Sequence, residues 1–120
     1  MKVLYSLSFY LLEKDLFQCV STLEKSIKNY KENNSHILII ANSKINNLNF
    51  SNFKNLTIVQ NKKNLGFTGF VNQSIKFFLK NNYDYLSIVN QDIKFYKNSI
   101  GEIFRGINST KKKEFFLQFS

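Results

Sequence analysis

Apolar residues along the chain follow two spacings that take turns. Val3 to Phe9 is a largely apolar run of strand length. From Leu12 to Lys31 the spacing changes: Leu16, Val20, Leu23, Ile27 and Tyr30 recur every three or four residues, the stripe of one helix face. Glu13 and Asp15 fall in the first turn of that helix, where negative charge complements the dipole. Ile37–Ile40, Leu56–Val59 and Tyr85–Val89 are apolar runs between polar residues and read as strands. The asparagine-rich connection Asn42–Asn55 is expected to carry a helical turn around Ile45–Phe50. Beyond Gly69, the residues Phe70, Val71, Ile75, Phe78 and Leu79, with Ser74 on the same stripe, predict a second amphipathic helix. Thr68 is its expected N-cap and Asn81-Asn82 its end. A weaker helix is expected over Ser99–Ile107, and Lys113–Ser120 is an apolar, strand-like run.

Strands alternating with helices predict an α/β fold: three layers, a mostly parallel sheet and helices on both faces. With 120 residues the chain makes one domain, and 43% hydrophobic residues exclude a chain disordered by composition. No apolar run reaches the length of a membrane span, and Met1–Leu12 reads as a strand rather than a signal peptide. The single cysteine, Cys19, excludes an internal disulfide and favours a reducing cytoplasm. It is expected to be a packed side chain on the first helix. The net charge of +9 points to nucleic acid only at first sight. Every basic residue except Arg105 is a scattered lysine, apart from Lys111-Lys112-Lys113. Nucleic-acid readers lean on the arginine fork, so no nucleic-acid partner is expected.

The chemistry gathers between Asn61 and Asp92. Gly66 and Gly69 sit where a polar loop meets a helix, and Asp92 follows the last predicted strand. In an open parallel sheet, ligands bind outside the carboxyl ends of the strands. There a helix N-terminus offers N–H groups to anions, and a carboxylate can hold a divalent cation that also touches phosphate. One reading is therefore a phosphate-facing loop with a metal ligand. The other is a glycine turn and a strand-ending Asp. Elimination leaves Asp92 as the best carboxylate. Glu24 and Glu32 are expected to be solvated, Asp84 is at the wrong end, and Glu102 and Glu114 lie beyond the motif. Glu13 and Asp15 are explained as helix-start acids. His36 is expected at the surface of the far end. No zinc cluster, Ser-His-Asp set or Walker loop occurs.

Asn64-Leu65-Gly66-Phe67-Thr68-Gly69-Phe70-Val71-Asn72 resembles the Asn-x-Gly-Phe-x-Gly-x-x-Asn signature of family 2, GT-A type glycosyltransferases, especially the rhamnosyltransferase-like branch. Asn90-Gln91-Asp92 stands where that family ends a strand in an Asp-containing triplet. The resemblance covers roughly Lys2 to Phe95. It implies a nucleotide-sugar pocket drawing on Asn64, Gly66, Phe67, Gly69 and Asn72. It also implies contributions from Ser8 and Tyr10 at the end of the first strand, Asn42 and Ser43 after the second, and Asn90 and Gln91. Ala41 replaces the acidic residue that usually contacts the base. Asp92 takes the metal-binding role, with magnesium or manganese as cofactor. The implied donor is a UDP- or dTDP-linked sugar, and the acceptor a cell-surface glycan or a lipid-linked glycan.

The resemblance also implies a catalytic base beyond the metal motif, so the chain is expected to be the donor-binding half of a longer domain. A cytoplasmic location is expected, with peripheral association at the inner face of the membrane left open. A non-catalytic nucleotide-binding module is the alternative, and a basic nucleic-acid-associated domain ranks below both.

Overall fold

The computed structural model describes residues 2–30, 34–108 and 116–119. Eight elements follow one another: β1 (Val3–Phe9), α1 (Glu13–Asn29), β2 (His36–Ala41), β3 (Leu56–Gln60), α2 (Gly66–Lys80), β4 (Tyr85–Asn90), α3 (Ser99–Asn108) and β5 (Phe116–Phe119). The strands form one sheet in the order β3-β2-β1-β4-β5, and every neighbouring pair is parallel. The expected α/β sheet is present. Within the strand-like run at 113–120, residues 116–119 are β5. Residues 113–115 and Ser120, together with Lys31, Glu32 and the lysines at 111–112, lie outside the described residues.

Central position explains the composition of β1. A strand covered on both faces must be apolar on both. Val3, Tyr5, Leu7 and Phe9 join Leu16, Cys19, Val20 and Leu23 of α1 and Ile100 and Phe104 of α3 in one buried cluster. Leu4 joins Leu38, Ile40, Leu86, Ile88 and Phe70 of α2 in the other. Ser6 Oγ meets Ser74 Oγ at 2.7 Å, and Ser74 in turn donates to the Phe70 carbonyl. This buried hydroxyl pair locks α2 across β1. β3 is an edge strand, and Ile58 on it is 41% exposed.

Four local expectations are corrected. The face α2 buries runs through Phe70 and Ser74, with Val71, Phe77 and Phe78 packed beside them. Leu79, nine residues after Phe70, points about 180° away at 3.6 residues per turn and is 68% exposed. Thr68 does not cap the helix. Gly66 adopts φ +70°, and α2 starts there with Leu65 at the N-cap, three residues earlier than expected. No helical turn forms at Ile45–Phe50. The Glu13 carboxylate accepts the Asn46 and Asn47 N–H groups, and Asn49 Oδ1 accepts that of Ser51. Side chains thus take donors a helix would have used. His36 opens β2 half-buried, with Nε2 2.8 Å from Thr57 Oγ1 and its ring stacked on Phe77. Burial, and then the charge of Lys2, lower its pKa.

Candidate functional site

All carboxyl ends of a parallel sheet lie on one edge. The chain runs outward from β1 to β2 to β3, and α2 then carries it to β4 on the other side of β1. Strand order reverses between β1 and β4, the place where such sheets bind ligands. The edge comprises the turn after β1 (Tyr10–Leu12), Asn42-Ser43 after β2, the Asn61–Leu65 loop leading into α2, and Gln91-Asp92 after β4.

The β2 end is fixed to the start of α2 by an amide network. Asn42, 5% exposed, accepts hydrogen bonds at Oδ1 from Asn61 Nδ2 (2.8 Å) and from Leu65 N (3.2 Å). Asn61 and Gln73 exchange two side-chain hydrogen bonds, of 2.9 and 2.7 Å. Asn64 Oδ1 accepts the Gly66 N–H at 2.9 Å, bending the loop into the helix. A Cβ on Gly66 would meet nothing within 4 Å, so its φ alone demands glycine. A Cβ on Gly69 would lie 2.5 Å from Leu65 Cβ. The glycine pair therefore shapes the loop that presents the N-terminus of α2. Leu65 at the N-cap position supplies no side-chain cap. Asn64 takes the Gly66 N–H, and the other first-turn N–H groups have no partners within the helix.

Across the reversal, Gln91 Oε1 accepts the Tyr10 N–H at 2.8 Å, and Gln91 Nε2 donates to the Tyr10 carbonyl at 3.1 Å. Ser43 Oγ accepts the Leu11 N–H at 2.8 Å. Leu11 has φ +65°, a conformation that costs a residue with a Cβ about 1–2 kcal/mol. Tyr10 and Phe67 are exposed rings at this edge, beside exposed Leu11, Leu12 and Leu65. Ser8 pairs in register with Asn90 at the strand ends. The Asn90 carbonyl accepts Ile93 N and the Cys19 thiol. Burial, and then the nearby charge of Asp92, push the Cys19 thiol up to about 12, which keeps it protonated and no nucleophile.

The structure gathers Ser8, Tyr10, Asn42, Ser43, Asn64, Gly66, Phe67, Gly69, Asn90, Gln91 and Asp92 on this one edge. Asn72 is exposed on α2, six residues past Gly66, about 9 Å along the axis. Asn42, Ser43, Asn64 and Gln91 use their side chains within the protein. Asp92 is exposed at the edge. Among the described residues no group of three or more His, Cys, Asp or Glu side chains is arranged to hold a metal. A cation there would rest on this carboxylate, ligand phosphates and water, as magnesium commonly does. Sequence reasoning did not find Asn61 and Gln73, because nothing in a strand-end Asn or a helical Gln marks a reciprocal pair. A separate cavity of about 460 Å³, lined by Thr22, Lys25, Lys28, Asn29, Phe95 and Lys97, lies outside this edge.

The crystal structure of S. aureus TarS 1–349, a GT-A-type glycosyltransferase, superposes on this chain with a TM-score of 0.66 at 15% identity. The fold is glycosyltransferase-like. The match covers 90% of this chain and 32% of the TarS chain, so the chain spans about a third of that length. No family model and no curated protein sequence matches it. No helix among the described residues is long and apolar enough to cross a membrane.

Proposed function

We propose that this chain is the donor-binding part of a family 2-like glycosyltransferase. It would hold a nucleotide-diphosphate sugar at the carboxyl edge of its sheet for transfer to a cell-surface or lipid-linked glycan. One observation carries the reading. The first turn of α2 and the exposed Asp92 share the carboxyl edge of a glycosyltransferase-like fold. The donor diphosphate is an anion, and the helix start suits it. Asp92 would hold magnesium or manganese, which neutralises charge on the nucleoside diphosphate as it leaves. Tyr10 and Phe67, both exposed, offer rings against which the nucleoside or sugar stacks. On this reading the donor is UDP- or dTDP-linked, and the enzyme is rhamnosyltransferase-like and works at the cytoplasmic side of a membrane.

Calorimetric titration of the purified chain with UDP and dTDP, each with manganese or chelator, tests the reading. Saturable binding is expected that weakens about tenfold, or about 1.4 kcal/mol, both in chelator and in Asp92→Asn. Absence of binding by folded wild-type chain refutes the donor site. Binding indifferent to the cation and to Asp92→Asn refutes the metal role alone.

A further inference from the structure

The turn after β1 is the part of the edge that the central strand contributes, and it is held in an unfavourable shape. Leu11 lies at φ +65°, in a region leucine rarely visits. The Leu12 N–H folds back onto the Tyr10 carbonyl at 2.8 Å. Both neighbouring strands hold this turn. From the β2 side, Ser43 Oγ takes the Leu11 N–H. From the β4 side, the Gln91 carboxamide accepts from Tyr10 N and donates to Tyr10 O. Gln91 thus spans the reversal of strand order and pairs with the main chain of Tyr10 as a neighbouring strand would. A glutamate in its place has no donor for the Tyr10 carbonyl, and a leucine supplies neither half of the bridge.

We infer that Gln91 is a positioning residue, whose carboxamide clamps the Tyr10–Leu12 turn in the shape that receives the nucleotide. The inference rests on the donor-site reading above and assigns Gln91 a role without ligand contact. Its consequence is quantitative. Where only a fraction of molecules holds the receptive shape, apparent affinity falls by that fraction. Unclamped leucine populates positive φ at the level of a few per cent, whereas glycine does so about half the time.

The test uses the full chain, Gln91→Leu, and Gln91→Leu combined with Leu11→Gly. UDP affinity with manganese is measured by calorimetry, and Tyr10 and Leu11 amide exchange by NMR. Gln91→Leu is expected to speed Tyr10 amide exchange and to weaken UDP about tenfold or more, while Ser43 retains part of the turn. Adding Leu11→Gly is expected to bring affinity back to within about twofold or threefold of wild type. Urea midpoints are measured alongside, and the rescue is read only where both variants are fully folded under the conditions of the titration. Wild-type affinity in Gln91→Leu overturns the inference, and so does a loss that Leu11→Gly leaves untouched. If wild-type chain binds no UDP, the donor reading fails by itself. Amide exchange then decides the clamp: faster exchange at Tyr10 in Gln91→Leu sustains it, and unchanged protection overturns it.

Discussion

Gly66 and Gly69 stand three residues apart for different physical reasons. Gly66 adopts φ +70° with open space where a Cβ would project, whereas a Cβ at Gly69 would strike Leu65 Cβ at 2.5 Å. Gly66→Ala is therefore expected to lose about 1–2 kcal/mol through backbone strain. Gly69→Ala gains helix propensity of about 1 kcal/mol and loses about 1–3 kcal/mol to the clash. A net loss is expected, because the obstacle is next to the backbone and cannot swing away. Urea midpoints measure both. Leu65→Gly removes the obstacle and should reverse the sign of the Gly69→Ala effect, and an unchanged penalty in that background contradicts the packing account. The glycine spacing was visible in the sequence, but the sequence could not tell strain from close approach. Asn42 shows the same limit. A polar residue after a strand reads equally as a ligand contact or as turn chemistry, and here its Oδ1 holds Asn61 and Leu65.

Elements were legible where burial governs them and illegible where single side chains do. β1, β2 and β4 sit between two cores, so their apolar runs announced them within a residue at each end. The Asn42–Asn55 connection was misread because its backbone donors are taken by Glu13 and Asn49, partners that hydrophobic periodicity cannot reveal. The same contact makes a pH prediction. The Asn47 N–H holds the Glu13 carboxyl below its ordinary value of 4.5 against the opposing effect of desolvation, and the Asn46 N–H and the Asn47 side chain add to the lowering. Its folded pKa lies below its unfolded pKa. The contribution to stability is therefore complete above the unfolded value and lost as pH falls through the folded one. Amide exchange at Asn46 and Asn47 should lose protection in that acid range in wild type. In Glu13→Gln it should be weaker at neutral pH and lack the acid step. An acid step that persists in Glu13→Gln assigns it to another group and contradicts the clamp.

The whole molecule was readable as alternating strands and helices, and its α/β class with helices on both faces follows from that alternation. The strand order β3-β2-β1-β4-β5 was not readable. Pairing partners are chosen by long-range packing, such as the Ser6–Ser74 bridge that seats α2 over β1. That order brings residues as distant as Tyr10 and Gln91 into contact, and it makes one edge of the sheet the candidate site. The most direct test of this account is to map nucleotide-induced shifts over the backbone NMR spectrum as UDP and magnesium are added. The account predicts shifts at Tyr10–Leu12, Asn42-Ser43, Asn64–Gly69 and Asn90–Asp92, diminished in Asp92→Asn. Shifts confined to Lys25, Lys28 and Lys97 around the lysine-lined cavity, or no saturable shifts anywhere, would contradict it.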